Sequence, residues 1–325
     1  MSNRPFAIAG SASAVSQAPT GFEYLVDRVF RAFAVAAAGV LVLLVAYIVW
    51  KIGGQALPAI RNYHLDFLTS STWNVQEQKF GILPGIWGTL YSSLLALLIG
   101  GFFGLTVAIF LTQDFLHKRL AFVFRLIIEM LAAIPSVVFG LWGIFVVIPA
   151  IRPAANWLHE QLGFIPLFGT SLSGPGLLPA AIVLAIMILP TVAAISQDAL
   201  NSVPYRTKEA AYGMGATQWE VILKVMVPTA AGGIFSAMVL GFGRALGETM
   251  ALAMLVGNSN QISLSLFAPA ETLAALLASH FPEAGPVEVE ALMYAALVLL
   301  AITLLVNVLG IGLLTIAQRR ISGHA

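Results

Sequence analysis

This chain contains six apolar segments, each about as long as a helix must be to cross a bilayer. Hydrophobic residues make up 59% of the 325 residues and charged residues only 10%, whereas a soluble domain carries roughly a quarter charged residues. The segments predict an all-α integral membrane protein with six transmembrane helices. We place these spans at 33–52, 86–111, 121–148, 177–195, 229–256 and 291–316.

The distribution of Lys and Arg predicts how these helices are oriented. Of the 16 such residues, ten fall on the side of the N-terminus and four on the opposite side, and Arg125 and Arg244 lie within predicted spans. We therefore expect both termini to be cytoplasmic. Residues 1–30 begin with a stretch rich in Ser, Ala, Gly and Pro, and we expect them to form a disordered segment before a transmembrane domain at 31–320.

Two charged residues, Arg244 and Glu248, lie within the fifth apolar segment. A charge at the centre of a bilayer costs about 2.5–3.5 kcal/mol or more, and such residues face the interior of a bundle or a water-filled path. Their spacing of four places both on one face of a continuous helix. The pair predicts a site for a polar or charged solute; the alternative is a self-neutralising ion pair that only fixes helix packing.

A second pair with the same spacing, Arg125 and Glu129, falls in the third apolar segment. Arg125 lies near the cytoplasmic end, where its side chain can extend to the interface. Glu129 lies deeper and is a candidate for the inner part of a solute path. Pro135 and Pro190 predict kinks within their spans, serving either motion or static packing.

The loop at 201–228 carries a run of helix and turn signals. In order, they are Pro204, Glu209, Ala210, Ala211, Gly213, Gly215, Thr217 and Glu220. The proline begins a helix that Glu and Ala favour, and the glycines permit a turn. The threonine and glutamate three residues apart predict a capping box for a second helix. The loop is thus expected to be a short helix–turn–helix, although a plain link between two spans is the alternative.

The same loop resembles the EAA loop of ABC importer permeases. Glu209-Ala210-Ala211 is followed by Gly215 and then by Val225-x-Val227-Pro228, with valines where the family pattern has Ile and Leu. The resemblance implies an ABC importer permease fold and a coupling loop that docks on a cytoplasmic ATPase. It gives Glu209, Ala210, Ala211 and Gly215 as the docking positions.

Four further motifs, at 68–74, 80–90, 132–143 and 243–250, resemble the PstC family of phosphate permeases. The resemblance covers roughly residues 20–320; one departure is Val75, where the family has proline. It implies a phosphate importer in the inner membrane of a bacterium, whose partners are the homologous permease PstA, a dimer of the ATPase PstB and the phosphate-binding protein PstS. Phosphate suits this site chemically, because Arg244 can offer an oxyanion two parallel donors and Glu248 can accept the proton that phosphate retains at neutral pH.

Missing sequence motifs and the small net charge argue against several other functions, and a few alternatives stay open. The chain has no Walker A pattern, so ATP and Mg²⁺ are expected to be used by the partner ATPase, and we expect this chain to be a transporter subunit that is not an enzyme and binds no cofactor or metal. A net charge of +1 gives no attraction to nucleic acid. The remaining alternatives are a permease for sulfate or molybdate, a stand-alone channel or carrier, and an intramembrane protease, for which no motif is present.

Overall fold

The computed structural model describes residues 20–113 and 115–322, and most of these residues are helical. The helices are α1 (Gly21–Tyr63), α2 (Asp66–Thr69), α3 (Leu83–Thr112), α4 (Lys118–Ala133), α5 (Ser136–Trp142), α6 (Ile148–Leu162), α7 (Leu177–Asn201), α8 (Tyr205–Gly213), α9 (Gln218–Glu220), α10 (Val227–Thr229), α11 (Ala231–Leu246), α12 (Met250–Leu255), α13 (Leu273–His280) and α14 (Pro286–Ser322). Shorter elements are the π-helical turns Gly143–Val147 and Val221–Met226 and the 3-10 turns Pro166–Phe168 and Phe281–Glu283. Strands β1 (Trp73–Asn74) and β2 (Lys79–Phe80) form an antiparallel hairpin.

Within the described residues, five helices are long and apolar enough to cross a membrane: α1, α3, the continuous helix Ser136–Leu162, α7, and α14 as far as Thr315. A sixth is obtained if Gln218–Thr229 and Ala231–Leu246, which meet at a bend of 70°, count as one span. The all-α membrane architecture is confirmed. The first, second, fourth and sixth predicted spans fall within the single helices α1, α3, α7 and α14.

The third predicted span, 121–148, is wrong. Helix α4 ends at Ala133, and Pro135 adopts an extended conformation with φ −60° and ψ 142°. Proline cannot donate to a helix and disfavours the helical conformation of the residue before it, so Ile134 is extended as well. The apolar run therefore breaks into α4 and a separate span, Ser136–Leu162. Pro190, by contrast, lies inside α7, which continues to Asn201.

The fifth predicted span, 229–256, is not one helix. Helix α11 ends at Leu246, and α12 begins only at Met250. Gly247, Glu248 and Thr249 separate the two helices, and neither glycine nor threonine favours the helical conformation. At the opposite end, Ala230 has φ −85° and ψ 1°, and the chain bends there by 70°.

The predicted disordered segment 1–30 is too long. Residues up to 19 lie outside the described residues, but the chain is helical from Gly21. The amide of Thr20 donates to Glu23 Oε2 at 2.6 Å and the amide of Glu23 donates to Thr20 Oγ1 at 3.4 Å, which is a capping box that our sequence reasoning overlooked. By internal contacts the chain divides into two units after Lys51, and all features described below belong to the second.

Helix α7 is the most buried of the long helices and forms the centre of the second unit. Its neighbour α3 turns Ala96, Gly100 and Gly104 toward it, one turn apart on one face. Helices in lipid have no hydrophobic drive to associate, so small residues that let backbones approach closely are what hold them together. Residues midway along α7 therefore lie near the centre of the second unit.

The end of the bundle opposite the loop at 201–228 is tied together by aromatic and polar contacts. Phe67 stacks on Tyr294 with ring centroids 4.4 Å apart. The buried carboxylate of Glu288 accepts from Trp73 Nε1 at 3.1 Å and lies 3.0 Å from His280 Nδ1. These bonds link the β-hairpin, α13 and the first turn of α14.

A second buried carboxylate at this end, that of Glu271, lacks such partners. The residue is 5% exposed, and among the described residues its Oε1 accepts only from the amide of Thr272, at 3.3 Å. Burial raises the pKa of Glu271 from 4.5 to about 7. Between pH 4.5 and about 7 the folded state keeps the proton on Glu271, whereas the unfolded state releases it. The free energy of unfolding therefore falls as the pH rises through this range, and the contribution of the protonated Glu271 to stability is complete only below pH 4.5.

Replacing Glu271 by glutamine should therefore stabilise the protein at pH 8 and leave it unchanged near pH 4.5. A pKa shift of this size corresponds to about 3 kcal/mol. Thermal unfolding of the purified protein in detergent across this pH range measures the difference. Glu283→Gln, at an exposed carboxylate on the same side, is the matched control and should change nothing. A Glu271→Gln gain that is the same at both pH values would contradict this expectation.

Candidate functional site

The predicted site residue Arg244 lies in the last turn of α11 and is exposed. Its Nη1 donates to Thr191 Oγ1 at 3.2 Å. Thr191 is 14 residues from the beginning of α7 and ten from its end, so the contact puts the guanidinium near the middle of the central helix. The cation also lies at the helix terminus where the unpaired carbonyl groups of α11 favour positive charge.

Helix α11 lies very close to α7 because small residues face it. Ala237 and Ala245 are fully buried, and a methyl group added to Gly241 would lie 2.7 Å from Val192 Cγ2. This close approach brings Arg244 within reach of the short Thr191 side chain. Sequence reasoning missed Thr191; the signal was a threonine directly after Pro190, in a run that is otherwise apolar.

The second predicted residue, Glu248, does not share a helical face with Arg244, and this prediction is wrong. Glu248 follows the end of α11, and its Oε1 accepts from the amide of Ala251 at 3.4 Å. The first-turn amides of α12 have no partner within the helix, and the Glu248 carboxylate accepts from one of them. Its negative charge is also stabilised by the positive end of the dipole of α12. No ion pair joins Arg244 and Glu248 in the described part of the chain, so neither a shared helical face nor self-neutralisation applies.

The third predicted residue, Glu129, lies with Arg125 on α4, and both side chains are exposed. The predicted position within a span is wrong because α4 ends before the third span begins. Among the described residues Glu129 forms no ion pair, and the structure does not join it to Arg244.

The loop at 201–228 has the predicted helix–turn–helix. Helix α8 begins after Pro204 and contains Glu209, Ala210 and Ala211. Gly215, with φ +85°, makes the turn, and its amide donates to the carbonyl of Tyr212 at 2.9 Å. The capping box at the start of α9 is also confirmed: the amide of Thr217 donates to Glu220 Oε2 at 3.1 Å, and the amide of Glu220 donates back to Thr217 Oγ1 at 3.4 Å. The first of these bonds, together with those from Lys224 and the Thr217 hydroxyl, holds the pKa of Glu220 at about 2.

Comparison with known proteins identifies the family. Residues 100–323 match the family described as "Binding-protein-dependent transport system inner membrane component". The chain belongs to this family. Its curated relatives include the phosphate transport system permease protein PstC of Mesorhizobium japonicum, 39% identical over 87% of this chain and 88% of the relative, and that of Xylella fastidiosa strain Temecula1, 38% identical over 87% and 89%. A probable PstC of Methanocaldococcus jannaschii is 37% identical over 79% and 84%.

Solved structures show the same fold at lower identity. A bacterial alginate ABC transporter, in complex with an alginate-bound periplasmic protein, has a TM-score of 0.60 at 16% identity and covers 88% of this chain and 94% of its own. The inward-facing methionine transporter MetNI has a TM-score of 0.53 at 20% identity, over 73% and 95%. The chain is therefore a multi-pass inner membrane permease with an ABC importer fold, and its role is transport.

In this permease the loop at 201–228 is packed firmly against the spans. Ala211 of α8 is buried with Ile222 and Met226 of the π-helical turn, and this cluster reaches Ala108 at the end of α3 and Leu200 at the end of α7. Trp219 also stacks on Phe115, which follows α3, with ring centroids 5.1 Å apart. Sequence reasoning missed Phe115. A displacement of α8 would therefore also shift the residues of α3 and α7 that pack against it.

Substitution of Gly215 by alanine should loosen α8, whereas Gly213→Ala should strengthen it. Both glycines have open space around the position of an added methyl group. Only Gly215 has a positive φ, where an L-residue costs about 1–2 kcal/mol; a glycine within a helix instead costs about 1 kcal/mol relative to alanine. Hydrogen exchange of the α8 amides measures both effects. A change in the same direction for the two variants would show that backbone conformation at Gly215 does not govern this turn.

Proposed function

We propose that this chain is the permease subunit of an ATP-driven importer of inorganic phosphate and that Arg244 receives the anion. The observation that carries the proposal is the partner of Arg244. Its guanidinium lies midway along the central helix and bonds to a neutral hydroxyl, that of Thr191, with no carboxylate pairing it in the described residues. Relatives 37–39% identical carry the name of phosphate permeases, which supports the substrate.

The chemistry of the guanidinium supports an oxyanion substrate. Arginine has five N–H donors in a planar fork, and one of them is used by Thr191. Donors are left for two parallel bonds to one phosphate. A positive charge at this depth is costly without a counter-charge. A transient phosphate anion supplies that counter-charge, which favours entry of the anion over a neutral solute.

Glu248 is proposed to affect the site indirectly: by accepting from the Ala251 amide it fixes the first turn of α12, the helix that follows Arg244 in the chain. Glu248→Gln keeps an oxygen for the Ala251 amide and removes the negative charge, whereas Glu248→Ala removes both. We therefore expect phosphate uptake within about twofold of normal for the glutamine variant and a larger loss for alanine, for which removal of a helix cap costs about 1 kcal/mol. A severe loss for Glu248→Gln would show instead that the charge itself contacts the anion or its proton.

Energy is proposed to enter through the loop at 201–228. Glu209, Ala210, Tyr212 and Met214 are exposed on α8 and its turn, which leaves them available to a cytoplasmic partner, while Ala211 faces inward. The partner would be an ATPase of the PstB type, present as a dimer, which binds ATP and Mg²⁺ in place of this chain. A second permease of the PstA type and a phosphate-binding protein of the PstS type would complete the importer.

The proposed function is tested by reconstituting this chain with such a second permease, ATPase and binding protein in proteoliposomes. We expect uptake of labelled phosphate that requires ATP and the ATPase and that excess sulfate or molybdate does not inhibit. Equal inhibition by sulfate would indicate a general oxyanion permease. Uptake by this chain alone would indicate a stand-alone channel or carrier.

A further inference from the structure

A polar side chain in the last span, that of Asn307, lies directly against the helix that carries Arg244. Its Oδ1 and Nδ2 are 3.2 and 3.6 Å from the position that a Cβ atom on Gly243 would occupy. Gly243 is the residue before Arg244, and consecutive Cα atoms are about 3.8 Å apart. Asn307 therefore meets α11 one residue before Arg244, near the C-terminal end of that helix.

The Asn307 amide lacks a hydrogen-bond partner among the described residues. It lines a groove of about 600 Å³ among α7, α11 and α14, whose other lining residues are apolar except Ser236. The hydroxyl of Ser236 donates to the carbonyl of Gly232 at 3.0 Å and is already satisfied. An unsatisfied amide in the apolar interior of a membrane costs free energy, and polar residues there usually mark solute paths.

We propose that Asn307 is a specificity-determining residue that contacts the transported oxyanion beside Arg244; this inference rests on the proposed function. An amide group carries both a donor and an acceptor. Its NH₂ group donates to a phosphate oxygen, and its carbonyl oxygen accepts the P–OH proton that phosphate retains at neutral pH. Sulfate, which is fully deprotonated, meets the carbonyl oxygen with a lone pair and is disfavoured.

Glu248 is the other acceptor near this level. Its Oε1 accepts from the Ala251 amide at the start of α12, which leaves Oε2 as an acceptor that carries negative charge. Asn307 fills that role without adding a negative charge that would repel the anion. Gly243 is needed for the arrangement, since a methyl group there would press on the amide.

The test measures phosphate uptake by the reconstituted importer carrying Asn307→Ala. We expect the phosphate concentration for half-maximal uptake to rise at least about 10-fold, since the loss of one hydrogen bond to a charged group already has that effect and alanine removes two contacts, with little change in maximal rate. The excess of sulfate needed to inhibit uptake should fall by a similar factor. Asn307→Leu, which keeps the volume but neither polar atom, should behave like the alanine variant.

Two controls separate this role from packing. Val308→Ala truncates the next, exposed residue of α14, and Ser236→Ala removes a satisfied hydroxyl from the same groove; both should leave affinity and sulfate inhibition unchanged. Wild-type complex that fails to transport phosphate overturns the proposed function itself. Phosphate transport by wild type with unaltered affinity and sulfate inhibition in Asn307→Ala, or a loss only of complex yield, overturns the inference about Asn307 alone.

Discussion

Substitution of Arg244 by alanine should reduce phosphate uptake by the reconstituted importer by at least about 100-fold. A hydrogen bond to a charged group contributes about 1.5–3 kcal/mol, and the guanidinium offers phosphate two of them. Arg244→Lys keeps the charge but loses the planar fork, so a loss of about 10-fold is expected. Neither variant should unfold the chain, because Arg244 is exposed and its side chain forms one hydrogen bond within the described part of the chain, to Thr191.

Initial rates of labelled phosphate uptake at matched amounts of assembled complex measure this effect. Arg125→Ala is the matched control, since it removes an exposed arginine from α4, outside the spans, and should leave uptake within about twofold of normal. Basal ATP hydrolysis should persist in Arg244→Ala. Normal uptake by this variant at normal subunit levels would show that the anion takes another route.

The depth of Arg244 could be predicted from the sequence, but its surroundings could not. Depth follows from counting apolar residues on both sides of a charge, and the contact with Thr191 midway along α7 agrees with that count. The spacing of four residues between Arg244 and Glu248 has meaning only on an unbroken helix. The break after Leu246 invalidates it and turns Glu248 into the cap of a new helix.

Residues that act on the backbone within a few positions of themselves gave the most reliable predictions. The helix–turn–helix at 201–228 was predicted correctly because Pro204, Gly215 and the Thr217–Glu220 box each act within a few residues. The third span was misplaced because a hydropathy count runs through Pro135, although that residue ends α4. Contacts between distant segments, such as Phe115 with Trp219, leave no comparable local signal.

The second large effect is expected from Gly100→Leu, which should prevent α3 from packing on α7. A Cβ atom at this position would lie 2.6 Å from the Ala185 carbonyl oxygen and 2.8 Å from Ile188 Cγ1. Backbone atoms cannot rotate away as a flexible side chain does, so the two helices must separate. Adding methylene groups to a well-packed core typically costs about 1–3 kcal/mol of stability. We expect Gly100→Leu to cost about 3 kcal/mol or more, because it adds a whole side chain where the backbone of α7 is in contact.

The recovery of folded complex and its thermal midpoint in detergent measure this effect, with less than about a tenth of normal recovery expected for Gly100→Leu. Gly312→Leu, at a glycine of α14 with nothing within 4 Å of the added atom, is the matched control and should be tolerated. Gly100→Ala adds only one methyl group and should give an intermediate midpoint. Because α7 also carries Thr191, any Gly100→Ala complex that does fold should have weakened phosphate affinity, whereas unchanged stability and affinity would show that α3 and α7 adjust without moving the site.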